Sequence, residues 1–173
     1  MAIESKPTDP GGVVPSTVHV MHHPIHPMLV VYPIALLSLT PPSDIAFWLL
    51  GDPFWARVSF WLLAGGLGFG LLAAAVGLID FMTMRRVRSH VSGWSHMLSA
   101  VVLLALAAAN LAQRWQSHVD SVLPWGLLLS VVMGAVVVVT GWLGGTLSFG
   151  HGIGSFEHEQ DNEVEDARKP PGQ

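Results

Sequence analysis

His26, Asp80, His96 and His151 are the residues of this chain with the most chemistry to offer. Imidazole is the commonest side-chain metal ligand and an axial ligand to haem iron. Helical bundles build such sites from side chains on facing helices. Haem needs two ligands at matched depth, or one and an open position. His26 with His96 or His151 meets that requirement if the fold brings them together, and Asp80 would then orient a ligand histidine through its second ring nitrogen. The cofactor expected on this reading is haem b or a divalent metal. The plain alternative is that interfacial histidines cap helix ends and bind headgroups or water. His26 directly precedes Pro27, which also fits an ordinary helix start.

A second group is His19, His22, His23 and His26. A surface metal site on His22, His23 and His26 is one reading. It competes with a solvated juxtamembrane strand, because Pro24 disfavours helical geometry at His23. A third group, Asp44, Arg57 and Arg114, reads as a structural ion pair. Asp44 with Arg114 is the expected pairing and Arg57 the competitor. His118 is read as a loop residue, and His158 in the acidic tail has no assigned role.

Other chemistry is poorly supported. There is no cysteine, so disulfides, thiolate metal sites and cysteine nucleophiles are excluded. Spacing gives no serine–histidine–acid trio and no paired catalytic carboxylates. Gly150-His151-Gly152-Ile153-Gly154 lacks the strand–turn–helix setting of a phosphate loop and reads as a chain reversal. Gly65-Gly66-Leu67-Gly68-Phe69-Gly70 reads as helix packing. The net charge of -4 comes from acids clustered between Glu157 and Asp166. No basic face speaks for nucleic acid.

The elements that must hold these groups are apolar. The chain is 51% hydrophobic and 12% charged, against about a quarter charged in soluble domains, and its mean hydropathy is +0.51. A spanning helix needs about 20 mostly apolar residues. Residues 55–83 and 122–149 qualify outright, and residues 94–113 reach the minimum. The run 27–50 is interrupted by Thr40-Pro41-Pro42. Its front half covers only about 18 Å, so one kinked crossing is expected. A re-entrant half plus an interfacial helix is the alternative. Trp48, Trp55, Trp115 and Trp125 flank two loops on one side and Trp94 opens the third helix on the other, as interfacial indoles do. Trp61 and Trp142 lie deeper and read as packing residues.

The expected fold is therefore all-α: a four-helix transmembrane bundle over 19–154. Disordered tails are expected at 1–18 and 155–173. The first tail is rich in proline and glycine. It lacks the form of a signal peptide, with Glu4 and Asp9 early and no apolar stretch behind them. Four crossings place both ends on one side with Arg85, Arg86 and Arg88. This predicts cytoplasmic termini in a bacterial inner membrane.

Alternating direction brings His26, Asp80, His96 and His151 to one rim. Helical phase extends them into stripes: His26, Val30, Pro33, Leu37, Thr40 and Asp44 on the first helix, and His96, Ser99, Leu103, Asn110 and Arg114 on the third. Small residues line the second (Gly66, Gly70, Ala73, Gly77, Asp80) and the fourth (Ser130, Gly134, Val137, Gly141, Gly144, Ser148, His151). Intramembrane polar groups face the bundle interior and close packing uses small residues, so the four stripes should face one another.

Several segments resemble a bacterial integral-membrane family classed as a domain of unknown function. They are His26-Pro27-Met28-Leu29-Val30-Val31-Tyr32-Pro33-Ile34-Ala35-Leu36, Pro53-Phe54-Trp55-Ala56-Arg57, Gly77-Leu78-Ile79-Asp80, and Gly141-Trp142-Leu143-Gly144-Gly145 through Gly150-His151-Gly152-Ile153-Gly154. The resemblance covers about residues 24–154 and implies a four-helix membrane domain. Related domains occur fused to Rieske-type iron–sulfur modules, which implies an electron-transfer neighbourhood. Members often carry a second histidine where this chain has Val31. If that histidine is a ligand, this chain has lost one cofactor or uses His96 and His151 instead.

Two functions remain at this stage. One is a His-lined haem- or metal-binding membrane subunit beside iron–sulfur or quinone-linked redox proteins. It would be an electron-transfer component rather than a stand-alone enzyme. The other is a non-catalytic anchor or assembly subunit whose polar cluster fixes helix packing. The lipid bilayer is a partner on either reading, and small-residue faces also permit a homodimer.

Overall fold

A chain in hydrocarbon must satisfy its own backbone hydrogen bonds, which makes helices of long apolar runs. The computed structural model, which describes residues 19–20 and 23–150, has four helices long and apolar enough to cross a membrane. They are α1 (Ile25–Leu50), α2 (Pro53–Thr83), α4 (Val91–Arg114) and a last span whose regular part is α5 (Leu127–Gly145). Val122–Gly126 leads into α5 through a kink at the extended Leu123, and Thr146–Gly150 continues beyond it as a π-helical turn. The fold class is all-α, as expected. The expected disordered tails and His151 fall outside the described residues.

The first span carries Pro33, Pro41 and Pro42 inside one helix rather than breaking into a re-entrant half. The hydroxyls flanking the proline pair bond back to the preceding turn. Thr40 Oγ1 donates to the Leu36 carbonyl at 3.2 Å and Ser43 Oγ to that of Leu39 at 2.9 Å.

The turn into α2 is tight. Gly51 takes φ +68°, which costs glycine little. Asp52 then caps α2: its Oδ1 accepts from the Phe54 N–H at 2.9 Å, with Pro53 at the first helical position. Asp52→Ala should lower stability by about 1 kcal/mol, read as a fall in thermal midpoint in detergent; Asp52→Asn should retain most of it.

Ahead of α1, β1 (His19–Val20) pairs antiparallel with β2 (His23–Pro24), Val20 opposite His23. The arginine-rich connection expected as a loop contains a short helix, α3 (Arg85–Ser89). Its Val87 packs with Met84, Leu147 and Phe81, and the Trp94 indole donates to the Arg88 carbonyl at 3.1 Å.

The helices form a ring in which α1 packs on α2 and α5, and α4 packs on the same two. α1 and α4 therefore lie diagonally across the bundle. The faces turned inward include Pro33, Leu37, Thr40 and Asp44 of α1, and Leu103, Ala107, Asn110 and Arg114 of α4. Leu37, Leu63, Leu103, Ala107, Met133 and Val137 form the apolar core. Trp61 and Trp142 are not packing residues: they are 69% and 79% exposed. Small side chains occupy the seams, and the bulky indoles are left to the outer, lipid-facing surface.

The two helical hairpins repeat. Each of Pro33, Leu37, Thr40 and Asp44 has a buried counterpart seventy positions later, at Leu103, Ala107, Asn110 and Arg114. Ala56, Phe60, Leu63 and Gly70 of α2 correspond in the same way to Gly126, Ser130, Met133 and Thr140, all buried. Trp55 and Trp125 are also equivalent.

Candidate functional site

Two polar clusters lie on the diagonal between α1 and α4, and they sit at opposite ends of the bundle. The path from His26 to Asp44, and from His96 to Arg114, is about 27 Å along a helix. That approaches the roughly 30 Å hydrocarbon thickness. The apolar core lies between them.

At the first end, His26 and His96 face each other with ring centroids 6.4 Å apart and planes at 82°. Each ring is anchored alike. His26 Nδ1 lies 2.9 Å from the Ala73 carbonyl oxygen of α2, and His96 Nδ1 lies 3.1 Å from the Thr140 carbonyl oxygen of α5. A carbonyl can only accept, so each Nδ1 carries the proton. When neutral, each Nε2 is left with a lone pair. Four residues beyond each carbonyl stands a glycine against which the ring lies. A Cβ on Gly77 would fall 2.7 Å from His26 Cε1, and one on Gly144 would fall 3.0 Å from His96 Cε1. The stripes of glycine on α2 and α5 thus seat the two imidazoles.

The orienting bonds on the Nδ1 atoms come from main-chain carbonyls, not from Asp80. That residue is half-buried one turn beyond Gly77 on α2. Of the other expected ligands, His151 and His22 lie outside the described residues, as does the side chain of His23. Among the described residues no group of three or more His, Asp or Glu side chains is placed to hold a metal ion. The His22–His23–His26 site falls mostly outside the described residues.

At the other end, Asp44 and Arg114 form a fully buried ion pair, with Arg114 Nη2 2.6 Å from Asp44 Oδ2. Every guanidinium N–H has a partner. Nε donates to Asn110 Oδ1 at 2.8 Å, Nη1 to Asp44 Oδ1 at 2.8 Å and to Ser59 Oγ, and Nη2 to Asp44 Oδ2 and to Ser130 Oγ at 3.0 Å. Ser59 and Ser130 each donate to the carboxylate in turn, and Asn110 Nδ2 donates to Ser130 Oγ at 2.9 Å. No described buried side-chain nitrogen or oxygen lacks a partner. Such a saturated cluster leaves no group to bind a substrate. Its chemistry is that of a pin joining α1, α2, α4 and α5.

Arg57 is exposed and takes no part in the cluster's hydrogen bonds. Asp52, at the same end, serves as the cap of α2. His118 lies in the loop after α4, as expected, and stacks on Phe60, centroids 3.8 Å apart. Ser59 was missed in the sequence. It continues the α2 stripe of Gly66, Gly70, Ala73 and Gly77 one step past Leu63, and that phase was the signal.

A family model described as "Predicted membrane protein (DUF2231)" matches residues 22–157. The chain belongs to the DUF2231 family. The match takes in all four spans and both polar clusters, so this DUF2231 protein is an integral membrane protein whose outer surface meets lipid. No curated protein and no solved structure matches it.

Proposed function

We propose that this DUF2231 protein is a redox-associated membrane subunit that holds one haem iron or transition-metal ion between His26 and His96. The observation that carries the reading is the pair of rings with both Nδ1 atoms tied to main-chain carbonyls. That is the arrangement that fixes the tautomer of a ligating histidine and presents Nε2. His26 and His96 would hold the group through their Nε2 atoms. The cofactor would supply one-electron chemistry, and the chain would supply two oriented neutral imidazoles and a dry flank. The apolar core beneath the pair separates it from the opposite face. His151, at the same rim by topology, is a third candidate ligand, and Asp80 a further polar neighbour.

The arginines 85, 86 and 88 lie at the same rim. Positive-inside bias supports a cytoplasmic side of a bacterial inner membrane for the pair and both termini, which would put them within reach of iron–sulfur or quinone-linked partners.

The test is an absorption spectrum with metal analysis on protein purified in detergent from haem-replete cells. A Soret band or a stoichiometric metal is expected, lost in His96→Ala. Colourless, metal-free protein overturns the reading. The second reading, a non-catalytic anchor or assembly subunit, is favoured by the saturated Asp44–Arg114 cluster. On that reading His96→Ala changes stability or partner binding and no spectrum.

A further inference from the structure

Residues that meet their own counterparts in a duplicated structure lie on the axis that relates the copies. Two such pairs do so here, each seventy positions apart. His26 faces His96, and Asp44 bonds Arg114. The buried faces of α1 and α4 follow the same offset over the whole depth between these pairs. The packing obeys the same operation: exchanging α1 with α4 and α2 with α5 turns the α1–α5 contact into the α4–α2 contact. Both hairpins start at the same face, so the axis runs along the membrane normal, as in parallel transporter repeats.

The two clusters use this axis differently. At Asp44 and Arg114 the equivalent positions hold opposite charges. Two hairpins with like charges there would repel. At the other end the equivalent positions hold the same residue, seated in the same manner, although the carbonyls (Ala73 and Thr140) and glycines (Gly77 and Gly144) that hold the rings are 67 rather than seventy positions apart. Each ring takes a carbonyl and a glycine four residues further on from the helix that follows it in its hairpin.

We infer that the His26–His96 site is a seam between two repeats that takes a single metal centre bonded equally by both imidazoles. This rests on the metal- or haem-binding reading above and goes beyond it. It excludes a centre carried by one histidine with an open position opposite, and it makes the bound centre a cross-link between the hairpins. A haem held this way would be bonded by both imidazoles. A bare ion takes the same two nitrogens as half or more of its ligands.

Purified full-length protein in detergent, freed of any bound metal, is titrated with hemin in one arm and with Co(II) in the other, which separates the two sources of a metal centre. One equivalent per chain should bind in one arm. His26→Ala and His96→Ala should each weaken binding about tenfold or more, by closely similar factors. Added imidazole should restore the spectrum of either variant by filling the vacated position. Gln replacements at both sites keep an N–H donor for the Ala73 and Thr140 carbonyls, so a monodisperse Gln variant covers the case of an alanine variant that fails to fold. If one variant binds as the wild type does while the other loses binding, equal sharing is overturned and the cofactor reading stands. If both lose binding without rescue by imidazole, the histidines act structurally and the seam site is overturned. If neither probe binds the wild type, both readings fall.

Discussion

Replacing Arg114 with methionine is expected to destabilise the protein by about 3–5 kcal/mol, the cost of leaving a buried charge without its partner. Asp44 would keep two serine donors but lose both guanidinium bonds, at full burial. Asp44→Leu should be as severe, because Arg114 would keep only Asn110, Ser59 and Ser130, none of them charged. The loss should appear as a lower thermal midpoint in detergent and reduced abundance in membranes. Combining Asp44→Leu with Arg114→Met should recover much of it, since an apolar replacement of a whole buried pair is often neutral or better. Exchanging the charges, Asp44→Arg with Arg114→Asp, should also raise abundance above either single change. Ser59 and Ser130 flank the pair from opposite sides and serve either orientation. Absence of rescue in both double variants would show that the pair does not hold the helices together.

Gly77→Val is the change expected to disturb the histidine site most. A Cβ at this position lies 2.7 Å from Cε1 and 2.9 Å from Nδ1 of His26, closer than side chains pack. The ring must leave its seat and its bond to the Ala73 carbonyl. Overpacking of this kind costs about 1–3 kcal/mol. The same substitution moves the imidazole that the proposed metal centre needs. Gly77→Ala should therefore reduce cofactor content along with stability. Gly144→Ala should do less, because its Cβ stands 3.0 Å from Cε1 of His96 and 3.4 Å from Nδ1, and the ring need yield only a little. Thermal melts and spectra of the three variants test this order. Spectra unchanged in a folded Gly77→Val protein would separate the ring's seat from any cofactor.

Much of the architecture was legible because a bilayer leaves a chain few choices. Length and apolarity fixed four spans, and an even number of spans gathered His26 and His96 at one rim before any contact was known. Helical phase also pointed Leu37, Thr40 and Asp44 toward Leu103, Asn110 and Arg114, since polar groups in hydrocarbon turn toward protein. Pro41 and Pro42 left open whether the first run crosses once or breaks into two halves, and α1 runs from Ile25 to Leu50 as one crossing, with Thr40 and Ser43 hydroxyls bonding carbonyls of the preceding turn. The tryptophans show what a local rule misses when applied alone. Trp61 and Trp142 were read as packing residues by depth, and lipid accepts them as well as protein does.

Which diagonal a side chain crosses and which atom it meets were decided only by the tertiary structure. Phase places a residue on a face but does not say which helix stands opposite. The ring of contacts set α1 across from α4, and that choice gave Asp44 to Arg114 and left Arg57 outside. The hydrogen bonds to the Ala73 and Thr140 carbonyls depend on the close approach at Gly77 and Gly144. Main-chain acceptors carry no mark in a sequence, because every residue has one.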